Sequence, residues 1–314
     1  FFLYAFYKIR GTERNILNYL VAVFCIQSLI EWSAFLFSPV KDLINFTKSE
    51  ATILKGMGYS GVRANSLASS DFFGLSSAFA IVYLLFFSRQ NGTLKLKPYI
   101  NILIYGLLLT GTFFAGRTGY VGVLIAMIYI VKSLKIKKIS WSFFRNLGFA
   151  LIGILILSGM AVFFLKAVQM NENFENLYNF TFQLFISLTE DNSAKISSLQ
   201  SLDHMYFTVD PYTFFLGDSF YSNPDGSYYM HTDVGYMRTI LYMGIFGTLF
   251  LLMMQLLIIR PFRGNEKVLK LFLVILLLIL NLKGEVIVWG QITLTVVTIY
   301  SINNYFNKIG ELDG

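Results

Sequence analysis

The sequence predicts an all-α protein: a polytopic bundle of transmembrane helices with one large, partly helical loop outside the membrane. Three observations lead there. Hydrophobic residues make up 55% of the 314-residue chain, charged ones only 14%, and mean hydropathy is +0.61, more apolar than a soluble domain of this size. Apolar runs recur, each near the ~20 residues that a helix needs to cross the hydrocarbon core. Against this background, residues 168–235 are polar, acidic and aromatic. No alternating ten-residue pattern points to a barrel instead.

Taken in order, Phe1 to Tyr7 reads as the tail of an earlier span running into Lys8, Arg10 and Arg14, so further helices are expected to precede it. Spans follow at 15–37, 67–88, 98–115, 118–132, 146–167, 236–259, 268–284 and 288–306. This gives transmembrane helices over 1–167, a loop domain over 168–235 and C-terminal transmembrane helices over 236–314. The five prolines fall in loops or at span starts, where a missing N–H costs nothing, so the spans read as uninterrupted helices. That continuity argues against a transporter, in which broken helices line the substrate site.

Basic residues orient the bundle, because Lys and Arg are retained on the cytoplasmic side of short loops. Sixteen of the 25 fall on one face, among them Lys8, Arg89, Lys135, Arg145, Arg260 and Lys308. The opposite, outer face carries the large loop. These cytoplasmic rims account for the net charge of +7, and no nucleic-acid partner is implied. Cys25 stands alone inside a span, so no disulfide framework or cysteine metal site is available.

The loop carries nine acids against Lys195 alone, and fourteen of its 68 residues are Phe or Tyr. Phe174, Leu177, Tyr178, Thr181, Phe182, Phe185 and Ile186 share one helical face, which predicts a helix at the membrane surface. A second helix is expected over 193–205, ending before Asp210-Pro211. Turn signals follow at Leu216-Gly217-Asp218-Ser219 and Ser222-Asn223-Pro224-Asp225-Gly226. The rings either stack on sugar faces or anchor the loop at the interface.

Three arginines fall at outer helix ends: Arg63, Arg117 in Gly116-Arg117-Thr118-Gly119, and Arg238 just inside the span after the loop. Each opposes the topology bias. Planar guanidinium groups converging from several helices suit a diphosphate without a metal, whereas a single one snorkels to headgroups. Glycines at 116 and 119 are expected to let a ligand approach the backbone.

His231 and Asp233 sit at the mouth of the span containing Arg238, where a histidine oriented by a carboxylate can take a proton from a hydroxyl. Asp233 equally suits the N-cap of that helix. His204, in the middle of the loop, reads as a packing or hydrogen-bonding residue. Lys283 and Glu285 form an ionisable pair at the outer end of a hairpin, and Asp71 suits the counter-ion of an arginine. Neither an Asp-x-Asp pair, nor a His/Cys cluster with ligand spacing, nor a nucleotide-binding glycine loop occurs, so no metal site or cofactor is predicted.

In four segments the chain resembles bacterial O-antigen polymerases of the Wzy type, within the O-antigen ligase and polymerase superfamily. These are Gly61-Val62-Arg63-Ala64-Asn65, Phe114-Ala115-Gly116-Arg117-Thr118-Gly119, Asp210-Pro211-Tyr212-Thr213-Phe214-Phe215-Leu216-Gly217, and His231-Thr232-Asp233-Val234-Gly235-Tyr236 followed by Gly244-Ile245-Phe246-Gly247. The likeness covers about 60–260. Two departures stand out: Ser219 occupies a place where the family often has a second glycine, and Lys195 one where it often has arginine. The resemblance implies a metal-independent glycosyltransferase of the GT-C type in the bacterial cytoplasmic membrane, with its active site facing the periplasm or exterior. Donor and acceptor would be oligosaccharide repeat units on undecaprenyl diphosphate, joined into O-antigen or a related surface polysaccharide. Arg63, Arg117 and Arg238 would hold the departing diphosphate. His231, or failing it Asp233 or Asp218, would be the base on the acceptor hydroxyl. Lys283, Glu285, Tyr236 and Lys195 complete the candidate site.

Membrane lipids are the expected surroundings and a chain-length regulator protein an expected partner. A ligase of the same superfamily is the nearest alternative. A flippase for the lipid-linked unit, or a loop that only binds a regulator, are readings from other classes.

Overall fold

The computed structural model describes residues 15–50, 53–54, 66–68, 72–90, 98–133, 204–259, 266–287 and 290–310. Among them the fold is all-α, and the only strand-like feature is an isolated antiparallel bridge between Ser222 and Tyr228. The elements are α1 (Asn15–Leu36), α2 (Ser38–Phe46), α3 (Phe72–Gln90), α4 (Pro98–Ala115), a 3-10 turn (Arg117–Gly119), α5 (Tyr120–Ser133), α6 (Pro211–Leu216), a second 3-10 turn (Tyr229–His231), α7 (Gly235–Ile258), α8 (Glu266–Asn281) and α9 (Gln291–Gly310). The α4 bounds coincide with the predicted span, because Pro98 opens the helix and Gly116 follows its end. The short helix α2, begun by Pro39, was not anticipated. The predicted span at 146–167, the loop helix at 174–186 and all but the last two residues of 193–205 lie outside the described residues.

The bundle is organised around α3, which packs against α1, α4, α5, α8 and α9. Every residue from Ala78 to Phe87 is buried. A helix apolar on all sides is satisfied either in lipid or at the centre of other helices, and the middle of α3 takes the second place. α1 instead turns one stripe inward (Leu17, Val21, Phe24, Ser28, Glu31, Phe35) and leaves Val23, Ile26 and Leu29 outside. Phe24 meets Phe79 of α3 edge to face at 4.8 Å between centroids, and Trp32 meets Phe114 of α4 at 5.1 Å. Among the described residues, two helices have the overall length and apolar composition to cross a membrane, α1 over Leu17–Leu36 and α7, counted across its full range, over Gly235–Ile258.

The expectation of uninterrupted spans does not hold for α7. At Met243 (φ −136°, ψ 15°) and Gly244 (φ 66°, ψ −177°) the backbone leaves the helix, dividing it into a short first part, 235–242, and a second part, 245–258. In a straight helix Gly235 and Gln255 would lie ~30 Å apart. Here Gly235 packs on Asn281 and Gly284 while the Gln255 side chain donates to the Ile287 carbonyl, so both reach one short segment. The second part therefore folds back toward the end of α8 on which the first is anchored.

A helix break frees carbonyls, and the loop supplies their donors. Asp218 N–H donates to Leu241 O at 2.7 Å and Ser219 N–H to Tyr242 O at 3.1 Å. This contact requires two glycines face to face. A Cβ on Gly244 would strike the Phe215 carbonyl, and one on Gly217 (φ 78°) would lie 2.6 Å from the Gly244 nitrogen. Ser219 also has a positive φ, 61°, which costs a residue with a Cβ roughly 1–2 kcal/mol.

Two opposite outcomes are expected in thermal unfolding of the detergent-solubilised protein. Gly244→Ala lowers the midpoint sharply, by a loss of more than about 2 kcal/mol from combined strain and overlap. Ser219→Gly raises it, by about 1 kcal/mol, because only the backbone cost is removed.

Candidate functional site

The first turns of α3 bring two of the predicted segments to one end of the bundle. On one side, Ser76 Oγ donates to Gly116 O at 2.7 Å, which pins the turn carrying Arg117. On another, Phe73 packs against Gly284, in the turn carrying Lys283 and Glu285. The glycines around Arg117 serve packing within the chain, in contrast to the expected ligand approach. A Cβ on Gly119 would meet Thr112 at 2.5 Å and the Ser76 carbonyl at 2.8 Å, so Gly119 admits α3.

Arg238 and Glu285 form a buried ion pair, Nη1 to Oε2 at 3.2 Å. Both faces of the guanidinium are covered, since its central carbon lies 3.9 Å from the Tyr221 ring centroid and 4.3 Å from that of Tyr228. The Tyr221 hydroxyl donates to the same Glu285 oxygen. Burial pushes the Glu285 carboxyl above the usual carboxylate range, while the Tyr221 hydrogen bond and the Arg238 charge pull it down. The Tyr221 phenol is pushed up, first by burial and then by its bond to Glu285. Arg238 Nε and Glu285 Oε1 are buried without a hydrogen-bond partner. Lys283, expected either to pair with Glu285 or to complete the site, is exposed, and Glu285 forms its buried ion pair with Arg238.

A second polar cluster lies directly along the loop. Asp210 caps α6, accepting from the Tyr212 and Thr213 N–H groups at 2.9 and 3.2 Å. The Thr213 hydroxyl lies 2.7 Å from Asp210 Oδ2 and 2.6 Å from Asp218 Oδ1, and the Tyr229 hydroxyl donates to Asp218 Oδ2 at 3.1 Å. Hydrogen bonds led by that from the Thr213 side chain hold the Asp210 carboxyl below the usual range. The Thr213 hydroxyl has a single proton and donates to one of the two carboxylates at a time, so it bridges Asp210 and Asp218.

The structure thus brings Asp218, Arg238 and Glu285 into one region with Tyr221, Tyr228 and Tyr229. His231 is exposed on the second 3-10 turn, next to Met230, and both residues have left-handed backbone (φ 55° and 52°). Asp233 is half-buried and does not cap α7: the cap position is Val234, with no side-chain cap bond. The Tyr236 hydroxyl donates to Leu278 O at 3.0 Å and that of Tyr206 to Leu282 O at 2.7 Å, both tying this region to α8. His204 is exposed, which leaves the hydrogen-bonding reading of the two. Arg63, Asp71 and Lys195 lie outside the described residues, as does the Arg117 side chain.

Three participants in this region, and one buried carboxyl elsewhere in the bundle, escaped the sequence reading. Tyr221, Tyr228 and Tyr229 carried no signal beyond the aromatic richness of the loop. Glu31 did carry one, as a carboxyl inside an apolar run. It is fully buried, with Oε1 accepting from Gln27 at 3.1 Å and Oε2 without a hydrogen-bond partner.

No family model, curated protein or solved structure matches the chain.

The ion pair makes a prediction with a sign. Arg238→Leu and Glu285→Leu each leave a buried charge unpaired and cost about 3–5 kcal/mol. The double variant Arg238→Leu/Glu285→Leu is expected to recover most of that loss, read as a strong coupling energy in thermal unfolding.

Proposed function

We propose that the chain is a polytopic membrane glycosyltransferase that joins oligosaccharide units carried on a polyprenyl diphosphate, on the outer side of the bacterial cytoplasmic membrane. The observation that carries this reading is the Asp218 cluster: a carboxylate that accepts from the Thr213 and Tyr229 hydroxyls, beside a loop anchor built on Arg238. The membrane setting is supported by the outward faces of the helices, which display Leu103, Leu124, Phe250 and Leu271. The segment order shared with O-antigen polymerases supplies the substrate class.

In this mechanism the acceptor hydroxyl attacks the anomeric carbon of the donor sugar. The bond from that carbon to the phosphate oxygen breaks, and the lipid diphosphate leaves with the electron pair. The acceptor proton passes to Asp218, whose protonated form donates to the Thr213 oxygen. Arg63 and Arg117 meet the charge that develops on the diphosphate. Arg238 is a positioning residue, because its faces are covered by two rings and its charge is met by Glu285. His231, beside a strained turn, and Asp233 remain candidates for sugar contacts or for the base itself.

One observation favours a second reading. A broken helix is a feature of transporters, where unwound backbone lines a substrate site, and α7 is broken. Here, however, the freed carbonyls are filled by the loop rather than presented to a cavity.

Arg63→Ala, Arg117→Ala and Asp218→Asn are expected to abolish polymer while the protein remains in the membrane at normal level. The measurement is the sugar-chain ladder of a deletion strain complemented with each variant. A normal ladder in both arginine variants would overturn the diphosphate role, and a normal ladder in Asp218→Asn the assignment of the base. In the deletion strain itself, single repeats on the acceptor indicate a polymerase, full-length polymer stranded on the carrier a ligase, and unpolymerised units confined to the cytoplasmic face a flippase.

A further inference from the structure

The six-residue helix α6 is built inside out. Its threonine, Thr213, is only 5% exposed, while Tyr212 is 68%, Phe215 48% and Leu216 58% exposed. In water this arrangement is the wrong way round, since the polar side chain is the one turned inward.

The exposed side of α6 is not isolated. Phe215 stacks on Phe246, ring centroids 6.0 Å apart, and Phe246 is itself 63% exposed in the first turn of the second part of α7. From Phe246 an outward stripe continues through Leu249, Phe250, Met253 and Leu257 at helical spacing. One apolar surface therefore runs from the loop helix onto a helix apolar enough for a membrane. The second part of α7 has fourteen residues, ~21 Å of helix, short of the ~30 Å hydrocarbon core. It enters a bilayer without crossing it alone.

We infer that α6 and the second part of α7 together form a re-entrant unit whose shared outer face lies against the acyl chains of the outer leaflet. The inference rests on the membrane reading above and goes beyond it, because it places part of the loop in lipid. Irregular backbone at membrane depth is tolerated only where protein covers it, and the break at Met243–Gly244 is covered by Phe215, Gly217, Asp218 and Ser219. The consequence for the proposed reaction is positional. Asp218 follows Leu216 by two residues, so seating Leu216 in lipid sets Asp218 at the headgroup level, where a lipid-borne diphosphate lies.

The test uses the full chain in vesicles of phosphatidylethanolamine and phosphatidylglycerol, with Cys25→Ser as background. A nitroxide is attached to cysteine at Tyr212, Phe215 or Leu216, with Phe250 as control on the α7 stripe and Asp225 as control at the loop tip. Collision with oxygen, which concentrates in lipid, is compared with collision with a water-soluble nickel chelate. Expected is oxygen-dominated collision at 215, 216 and 250 and nickel-dominated collision at 225. Oxygen at 250 with nickel at both 215 and 216 overturns the inference and leaves the membrane reading intact. Nickel at 250 as well overturns both. Protection of 215 and 216 from both agents means that protein covers the face, and oxygen access that appears only when lipid-linked saccharide is added means that the substrate's own chain does; either overturns the bilayer assignment. Tyr212 and Leu216 keep the test decisive if cysteine at Phe215 disturbs the stack on Phe246.

Discussion

The interruption of α7 at Met243–Gly244 is the constraint on which the rest of this region depends. A helix stopped in an apolar setting leaves carbonyls that no water reaches, and each unmet group costs several kcal/mol. Two of them, on Leu241 and Tyr242, accept from the backbone of Asp218 and Ser219. The loop is therefore a structural component of the helix rather than an appendage to it. It can approach that closely only because Gly217 and Gly244 lack side chains at the contact, and once it does, Asp218 is fixed relative to the bundle.

Arg238 secures the other side of the same junction. Its charge is met by Glu285 from the α8–α9 turn and its faces by Tyr221 and Tyr228 from the loop, so one residue ties three segments together. A guanidinium so enclosed is costly to expose and poorly placed to follow a moving phosphate. That separates roles that the sequence presented as equivalent. Arg63, Arg117 and Arg238 look alike in the sequence as outer-face arginines; among the described side chains, that of Arg238 lies inside a cage. The two orphaned atoms of the pair, Arg238 Nε and Glu285 Oε1, mark the cage as polar enough to gain from a water or a ligand group.

Much of the helical layout was legible because it follows from composition and punctuation. Pro98 and Gly116 bracket α4, and the all-round apolar run of α3 suits its central place. The pairing of Leu216-Gly217 with Gly244 was half visible: both segments belonged to the O-antigen polymerase likeness, but nothing in a linear pattern says that they touch. The departure at Ser219 becomes intelligible in the same contact, since the backbone there has the positive φ that glycine adopts without cost. The break in α7 was not legible, because the residues around it are as apolar as any span and Gly244 looks no different from Gly247. Nor was the tyrosine cage, which depends on residues 10 and 17 positions before Arg238 returning over it. Such contacts are set by tertiary packing, which overrides local pattern.

The broken helix also bears on the choice between moving a substrate and reacting it. A transport site needs backbone groups left available to the substrate and a helix pair free to rock around them. In this chain the available groups are spent on the loop, and the junction is locked by an ion pair, two ring contacts and two glycines in mutual contact. Rigidity of that kind suits chemistry, where a base must be held to within a fraction of an ångström of its target. The loop's acids are part of the same construction: Asp210 caps α6, and Asp218 accepts from Thr213 and Tyr229, so both are committed to holding the loop in place.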